Sequence, residues 1–504
     1  MNKIVIIVPH QDDELSIAGS LIASCMDKCF EPYVVFTTNG DAFECDQGLR
    51  MSEALNALSI IGITKEHVIF LGYPDNLVEG EGLYYKDDYE NIEHNGHSVT
   101  YGHNEINEYI YIKEKKHNQY NRFNFRNDIL SILRDLHPEI IIVNDYDSHQ
   151  DHKLTYISTL EAVKILLIED PFYKPLLLTK YAYSNNWFGI SDYFQKPLKP
   201  TIKVELEAEN PDAIWENRLV FNVPESCKTY KLKDNLIYKS LLCYSSQQAW
   251  LYAPNFLNSD VCYWHKRTDN IAIFASTSSS SGKHWYVNDY KVKDFICIKN
   301  SDGSLYFENC IWVPDKEDSE KKLVLKWNNV VNISCVSIYE NPSKENHIEA
   351  IEINFDNGFS IYNIEPKNDG SCTFVNFDLQ ENVQSLTIKL KKTRGQDAGI
   401  SEIEVFSGSQ TIDDFYFPLQ IQAVSGCNYE KQTFERYTFI LKKIIFHNLF
   451  PNIYVMRRKY RYLLKCPILL PYAWIMRIST YSLKKLFSSL RGVSSRIEVG
   501  KMNQ

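Results

Sequence analysis

The sequence predicts an α/β domain built on a layered, mostly parallel sheet, followed by an all-β sandwich and a helical, basic tail. Three observations predict it. Strand and helix patterns alternate from residue 1 to about 160. Short alternating strands with turn signals follow between 273 and 407. From 428 to 504 the pattern turns helical, basic and aromatic. A chain of 504 residues is too long for one ordinary core, so two or three domains are expected.

Ile4–Val8 is a continuous apolar run, as expected of a strand buried on both faces. Leu15, Ala18, Ile22 and Cys25 follow at helical spacing, and Tyr33–Thr38 reads as the next strand. Met51, Leu55 and Leu58 mark a helix over Arg50–Ile61, and Val68–Leu71 is a short strand. Residues 78–123 are polar, rich in Tyr, Asn, His and Glu, and read as an insertion over the site. Asn127–Leu136 is a helix, Glu139–Val143 a strand, and Lys153–Ile168 a helix. The arrangement is Rossmann-like, and such sheets bind ligands beyond the carboxyl ends of their strands. This first domain spans 1–270. The run Ser276–Gly282 reads as a breaker at the domain boundary.

Charge divides the chain. From Lys431 to Gln504 there are 15 basic and 2 acidic residues, although the whole chain carries −10. An acidic body excludes nucleic acid as its main partner, while the basic tail suits an anionic membrane face. The tail reads either as an amphipathic interfacial helix or as a helical pair docked on the sandwich. The 12 cysteines are scattered without a CxxC pair, and no signal peptide or membrane span is visible. The expectation is a cytoplasmic protein, in peripheral contact with the inner face of the membrane through its tail.

Two clusters carry the chemistry. His10-Gln11-Asp12-Asp13-Glu14 follows the first strand, and Asp147-Ser148-His149-Gln150-Asp151-His152 follows the strand ending at Val143. A hydrolytic zinc site needs about three protein donors and one open position. His10 and Asp13 can face one point, and His152 can complete the set. Asp12 is then free to act on water as the base. His149, if protonated, can stabilise an oxyanion, and Asp151 can hold it in that state. Alternatively, the first acidic run caps a helix and the second lies on a surface loop. Two clusters, each after a buried strand, favour the metal site.

The first cluster resembles the His-Pro-Asp-Asp-Glu signature of the PIG-L/LmbE-type deacetylases, and His149-Gln150-Asp151-His152 resembles their His-Pro-Asp-His signature. Thr38-Asn39-Gly40-Asp41, Arg50 with Glu53, Phe70–Asp75, and the stretch from Lys239 to Ser246-Gln247 are similar to further family segments. The resemblance implies hydrolytic N-deacetylation of an N-acetylglucosamine-type glycan, glycolipid or nucleotide sugar. It implies Zn2+, or another divalent metal such as Fe2+, held by His10, Asp13 and His152. Asp12 is then the general base, and His149 stabilises the oxyanion, oriented by Asp151. Arg50 and Asp75, with Asn39 and Asp41 of the matched loop, line the sugar. Gln11 and Gln150 stand where the family usually has Pro, which puts loop rigidity in question.

Residues 273–407 resemble a discoidin-like, galactose-binding jelly roll, closing with Gly399–Phe406. That implies glycan binding, with Trp285 and Trp312 either sugar platforms or core. The leading expectation is therefore an N-acetyl-sugar deacetylase of bacterial surface-polysaccharide or glycolipid assembly. A catalytically silent carbohydrate-binding scaffold and a metal phosphoesterase are the other readings. The second needs two metals, and only one ligand set can be assigned.

Overall fold

The computed structural model describes residues 2–421 and 469–476, except 26–27, 43–45, 77, 79, 183–186, 189–197, 199, 204–212, 253–256 and 300–304. Five parallel strands build the first sheet: β1 (Asn2–Val8), β2 (Phe30–Thr38), β3 (Val68–Tyr73), β4 (Ile140–Asn144) and β5 (Leu176–Lys180). After a two-residue pair, β6 (Trp187–Phe188) and β7 (Ile202–Lys203), the strands β8 (Leu219–Asn222) and β9 (Asp260–Lys266) join the sheet antiparallel. The order is β3-β2-β1-β4-β5-β9-β8. Strand order reverses between β1 and β4, so the crevice between their carboxyl ends is the topological switch point.

The apolar run of β1 is continuous because both faces are covered. Ile4, Ile6 and Val8 enter the core shared with α1 (Asp13–Cys25) and α2 (Gln47–Ile60). Val5 and Ile7 enter the core under α4 (Arg122–Leu136) and α5 (Gln150–Glu169), which follow the short α3 (Tyr109–Glu114) of the insertion. Two further short helices, α6 (Glu225–Lys228) and α7 (Leu236–Leu241), complete this half, and Ile237 and Leu241 of α7 pack with α1 and α2. Side-chain caps fix where helices begin. The Asp46 carboxylate accepts from Leu49 N–H at 3.0 Å, and Asn121 accepts from Asn124 N–H at 2.8 Å.

The second half is an antiparallel sandwich. Its strands are β10 (Ser276–Ser279), β13 (Lys322–Glu340), β14 (His347–Phe355), β15 (Ser360–Ile364), β16 (Thr373–Arg394) and β17 (Ile400–Phe406). The hairpin β11 (Phe295–Lys299) and β12 (Leu305–Asn309) stands apart from them. Alternate residues of β13, β14 and β16 point inward, among them Leu323, Leu325, Ile351, Ile353, Leu386 and Ile388. The run expected to break the chain at Ser276 is instead an edge strand paired with β13. Small hydroxyl side chains suit an edge that solvent wets, and they hid its period from the sequence.

Met1–Val424 forms one compact unit, so the two halves share a packed interface. Lys291 Nζ of the sandwich lies 2.8 Å from Glu161 Oε1 on α5 and 2.6 Å from Asp294 Oδ2. Ser425–Gln504 is a second unit, in which residues 470–476 are helical. The tail's basic cluster around Arg457–Arg461 lies outside the described residues. Among the described residues no helix is long and apolar enough to cross a membrane.

Candidate active site

The chain leaves β1 at Pro9 and turns into α1 within four residues, placing His10 and Asp13 at the sheet's carboxyl edge. It leaves β4 at Asn144 and enters α5 at Gln150, with His149 as N-cap and His152 in the first turn. The two turns meet. His10 Nδ1, Asp13 Oδ2 and His152 Nε2 stand 3.1, 3.2 and 3.2 Å from one another. Three donors on one tetrahedral zinc, each at about 2.1 Å, are about 3.4 Å apart, so this triangle fits a metal. His10 also belongs to two looser groups, one with His149 and His152 and one with Asp75, His149 and Asp151.

The electrostatics agree with a cation site. Burial disfavours a charged His10, but Asp75, Asp13 and Asp151 outweigh it and raise the pKa well above the ordinary value. Burial likewise opposes charge on His152, yet Asp147 and Asp13 push it up to about 9. Asp13 itself is held below the carboxylate range by His152 and His10, against its burial. The ring protons neutralise a surplus of carboxylate that a divalent ion would neutralise in their place.

Asp12 differs from its neighbours. Its φ is +121°, a strained value for a residue with a Cβ. Glu14 Oε2 accepts its N–H at 2.9 Å, and Tyr244 donates to the other oxygen of Glu14. Arg50 Nη2 donates to the preceding carbonyl, Gln11 O, at 2.8 Å. Burial and the charge of Asp13 push the Asp12 carboxyl up to about 7, against Arg50, His10 and His152. The two glutamines do not loosen the loops. Gln11 Nε2 donates to Thr38 O at 2.8 Å, and Gln150 Nε2 donates to Val78 O at 3.2 Å and to Asn76 O.

His149 is not held protonated by Asp151. Asp151 N–H donates to His149 Nδ1 at 3.2 Å, while the Asp151 carboxylate is 3.9 Å from that nitrogen. The carboxylate lies closer to His10 Nε2, at 3.2 Å, and accepts Asn76 N–H at 3.1 Å. Burial, then the charges of His10 and His152, lower His149 to about 3. The ring is therefore neutral, with its proton on Nε2.

Of the residues expected to line the sugar, Asp75 and Arg50 reach the centre. Asp75 Oδ1 is 3.4 Å from His10 Nε2, and its other oxygen is 3.6 Å from Arg50 Nη1. Asn39 and Asp41 also tie the surrounding loops together. Asn39 Nδ2 donates to Tyr101 O at 3.1 Å, and Asp41 accepts Asp75 N–H at 2.9 Å and Tyr101 O–H at 2.8 Å. Both are buried, as Asp75 and Arg50 are, and Asn39 Oδ1 has no partner among the described residues. Sequence reasoning gives Asp147 no role, but the structure does. Its carboxylate accepts from His152 Nδ1 at 2.7 Å and from His149 N–H at 3.0 Å, which aims Nε2 of His152 at the centre. Its place five residues before His152, at the foot of the helix, was the available signal. Glu53, expected as part of an Arg-x-x-Glu helix, receives Ser245 Oγ at 2.6 Å and Ser246 N–H at 2.9 Å.

Fold and centre together define the class: a Rossmann-like α/β domain with a buried His/Asp donor cluster at its switch point. Residues 5–163 match the PIG-L family, described as GlcNAc-PI de-N-acetylase. Residues 270–406 match a domain family of unknown function, DUF7402. No curated protein matches the chain. Among solved structures, the N,N'-diacetylchitobiose deacetylase of Pyrococcus horikoshii is similar at 17% identity, over 53% of this chain and 84% of that one, with a TM-score of 0.28. A conserved protein of Thermus thermophilus shares 14% identity over 53% of this chain and 94% of its own, at a TM-score of 0.31. A family 32 CBM of C. perfringens NanJ, solved with galactose, shares 17% over 27% of this chain and 94% of its own, at a TM-score of 0.21.

Proposed function

We propose that the protein is a metal-dependent hydrolase that removes the acetyl group from an N-acetylglucosamine-type amino sugar. The observation that carries this reading is a three-donor centre of His10, Asp13 and His152 with the Asp12 carboxyl in the same turn, in the segment that matches the PIG-L family. His10, Asp13 and His152 would hold zinc or another divalent ion such as Fe2+. When bound, the ion supplies Lewis acidity and an acidified water.

The chain's own groups do the rest. Asp12 takes a proton from the attacking water, which adds to the acetyl carbonyl carbon. The developing oxyanion receives a hydrogen bond from Nε2–H of neutral His149. Asp147 fixes the orientation of His152, and Asp151 orients His149 through its backbone N–H. As the C–N bond breaks, Asp12 returns its proton to the leaving nitrogen. The products are acetate and a free amine. Arg50 and Asp75 meet the sugar, with Asn39 and Asp41 bracing them.

The wider proposal places the enzyme in the bacterial cytoplasm, in surface-polysaccharide or glycolipid assembly. The sandwich binds glycan there, and the basic tail rests on the inner membrane face. The composition of the tail supports its part, with 15 basic against 2 acidic residues from Lys431 onward. The test is acetate release from free, nucleotide-linked, lipid-linked and polymeric N-acetylglucosamine by the full chain, with its metal content measured in parallel. Release from one form, dependent on bound metal, is expected. A metal-loaded protein that releases none from any form would leave the binding scaffold as the better reading.

A further inference from the structure

The β11–β12 hairpin lies within the segment 270–406, yet its aromatic face packs elsewhere. Phe295 joins the α4/α5 core of the α/β half. It meets Tyr84 edge-on at 4.9 Å and Tyr85 at 6.3 Å between ring centres. Phe307, on the same face of the hairpin, lies 5.7 Å from Tyr85 and 4.8 Å from Phe295. Tyr84 and Tyr85 end a tight turn, Leu83–Tyr85, at the start of the insertion.

The same stretch is tied to the catalytic centre. The Tyr84 and Tyr146 hydroxyls share a hydrogen bond, and Tyr146 immediately precedes Asp147. Asn76 N–H donates to the Asp151 carboxylate. Gln150, standing where the resembled motif has Pro, reaches from the first turn of α5 to the carbonyls of Asn76 and Val78. A Cβ at Gly82 would come within 2.5 Å of Gln150 Oε1, so a larger residue there would push this amide aside. One side of the stretch is therefore held by the helix that carries His149, Asp151 and His152. The other is held by the hairpin.

We propose that the hairpin is a working wall of the catalytic site. Phe295 and Phe307 are positioning residues that press the turn at Tyr84–Tyr85 onto Gln150 and so keep Asn76 on Asp151 and Asp75 beside the centre. The activity readout rests on the deacetylase reading; the structural readout does not. Aromatic burial of this kind supplies the force, and Gln150 transmits it because its amide bonds both elements. A displacement of about 1 Å at a substrate-side loop costs up to about 100-fold in rate.

The experiment uses the full-length, metal-loaded protein with Phe295→Ala, Phe307→Ala, Phe295→Leu and Tyr306→Ala. Tyr306 sits on the opposite face of the hairpin and is 56% exposed. Amide hydrogen exchange over residues 80–86, metal content, KM and kcat are measured on each. Both alanine variants at Phe295 and Phe307 should exchange faster over 80–86 at unchanged metal content. They should lose about 10- to 100-fold in kcat/KM, chiefly through KM. Phe295→Leu should recover most of both, and Tyr306→Ala should match the wild type. Unchanged exchange and unchanged KM in folded Phe295→Ala would overturn the proposal. If the wild type deacetylates no sugar, the deacetylase reading fails, and the exchange over 80–86 alone decides whether the hairpin holds the turn.

Discussion

At the carboxyl ends of β1 and β4 the protein buries polar groups that it leaves incompletely satisfied. The side-chain oxygens of Gln11, Asn39, Asn144 and Gln150 are buried without a hydrogen-bond partner among the described residues, and Asp12 holds a strained backbone. The sandwich buries charges as well, but closes most of them into pairs. Glu340 accepts from Ile348 N–H at 2.6 Å and from His347 Nδ1 at 2.9 Å. Glu404 takes Lys266 Nζ at 2.7 Å and Tyr339 O–H at 3.0 Å. Buried atoms without a partner among the described residues also occur elsewhere, at Tyr120 and His265 in the α/β half and at Ser337 and Glu402 in the sandwich, but those at the carboxyl edge stand beside a strained turn. Such residual demand and strain mark a place built to act on something.

The sharpest way to break that contrast is at Asp12. Asp12→Ala should keep its metal and its fold and lose about 10²- to 10⁴-fold in turnover. Asp12→Gly should lose as much activity yet unfold at a higher temperature than Asp12→Ala. Glycine accepts φ +121°, while alanine retains about 1–3 kcal/mol of strain. Wild-type turnover in a metal-loaded Asp12→Ala would remove this residue as the base.

The next largest effect lies where the halves join. Lys291→Ala leaves Glu161, Asp289 and Asp294 without their shared ammonium in a mostly buried place. Loss of one partner from a buried ionic group costs about 3–5 kcal/mol. Urea titration should show that loss in one transition covering both halves. Two separated transitions, with the α/β half unshifted, would mean that the interface does not couple them.

Much of this contrast was readable in the chain. β1 and β4 announced themselves as short unbroken apolar runs, because parallel strands buried on both faces have no polar side. The meeting of His10, Asp13 and His152 was readable because the first two close the turn after β1 and the third opens the helix after β4. The contacts that tune them were not. Asp147 bonds the far side of a ring already assigned, and its place five residues before His152 is a signal it shares with any acid at a helix start. Asn39 and Asp41 look like sugar ligands in sequence, and the bonds they also make to Tyr101 of the insertion and to Asp75 after β3 reach across more than thirty positions that no local pattern joins. The hairpin's place against Tyr84 joins residues more than 200 positions apart, and no periodicity reports that. Ser276–Ser279 misled for the opposite reason: an edge strand of small hydroxyls reads as a linker.

Asp147 gives a smaller and cleaner test. Asp147→Asn keeps one acceptor oxygen, enough for His152 Nδ1–H or for His149 N–H but not for both, and removes the charge that makes His152 a stronger donor. Metal affinity should fall about 10- to 100-fold, with turnover restored at saturating metal. Competition against a chelator measures it, and an unchanged affinity would leave Asp147 as a loop brace only.

The smallest effect needs almost no change to the protein. Asp12 works as a base only when deprotonated, so kcat/KM must rise with pH through its pKa. Without an ion, burial and Asp13 push that carboxyl up to about 7. A bound divalent cation adds positive charge and draws it down, so the acid limb of the loaded enzyme belongs between the ordinary carboxylate value, about 3.9, and about 7. Arg50 also lowers it, as a positive charge beside the same turn. Arg50→Gln should therefore move the limb to higher pH, even after the loss in KM from a weakened sugar contact is set aside. A limb that stays at the ordinary aspartate value in both proteins would mean that the proton taken from water does not go to Asp12. A limb that shifts in the variant would tie the rate to the one residue of the site whose backbone the fold strains.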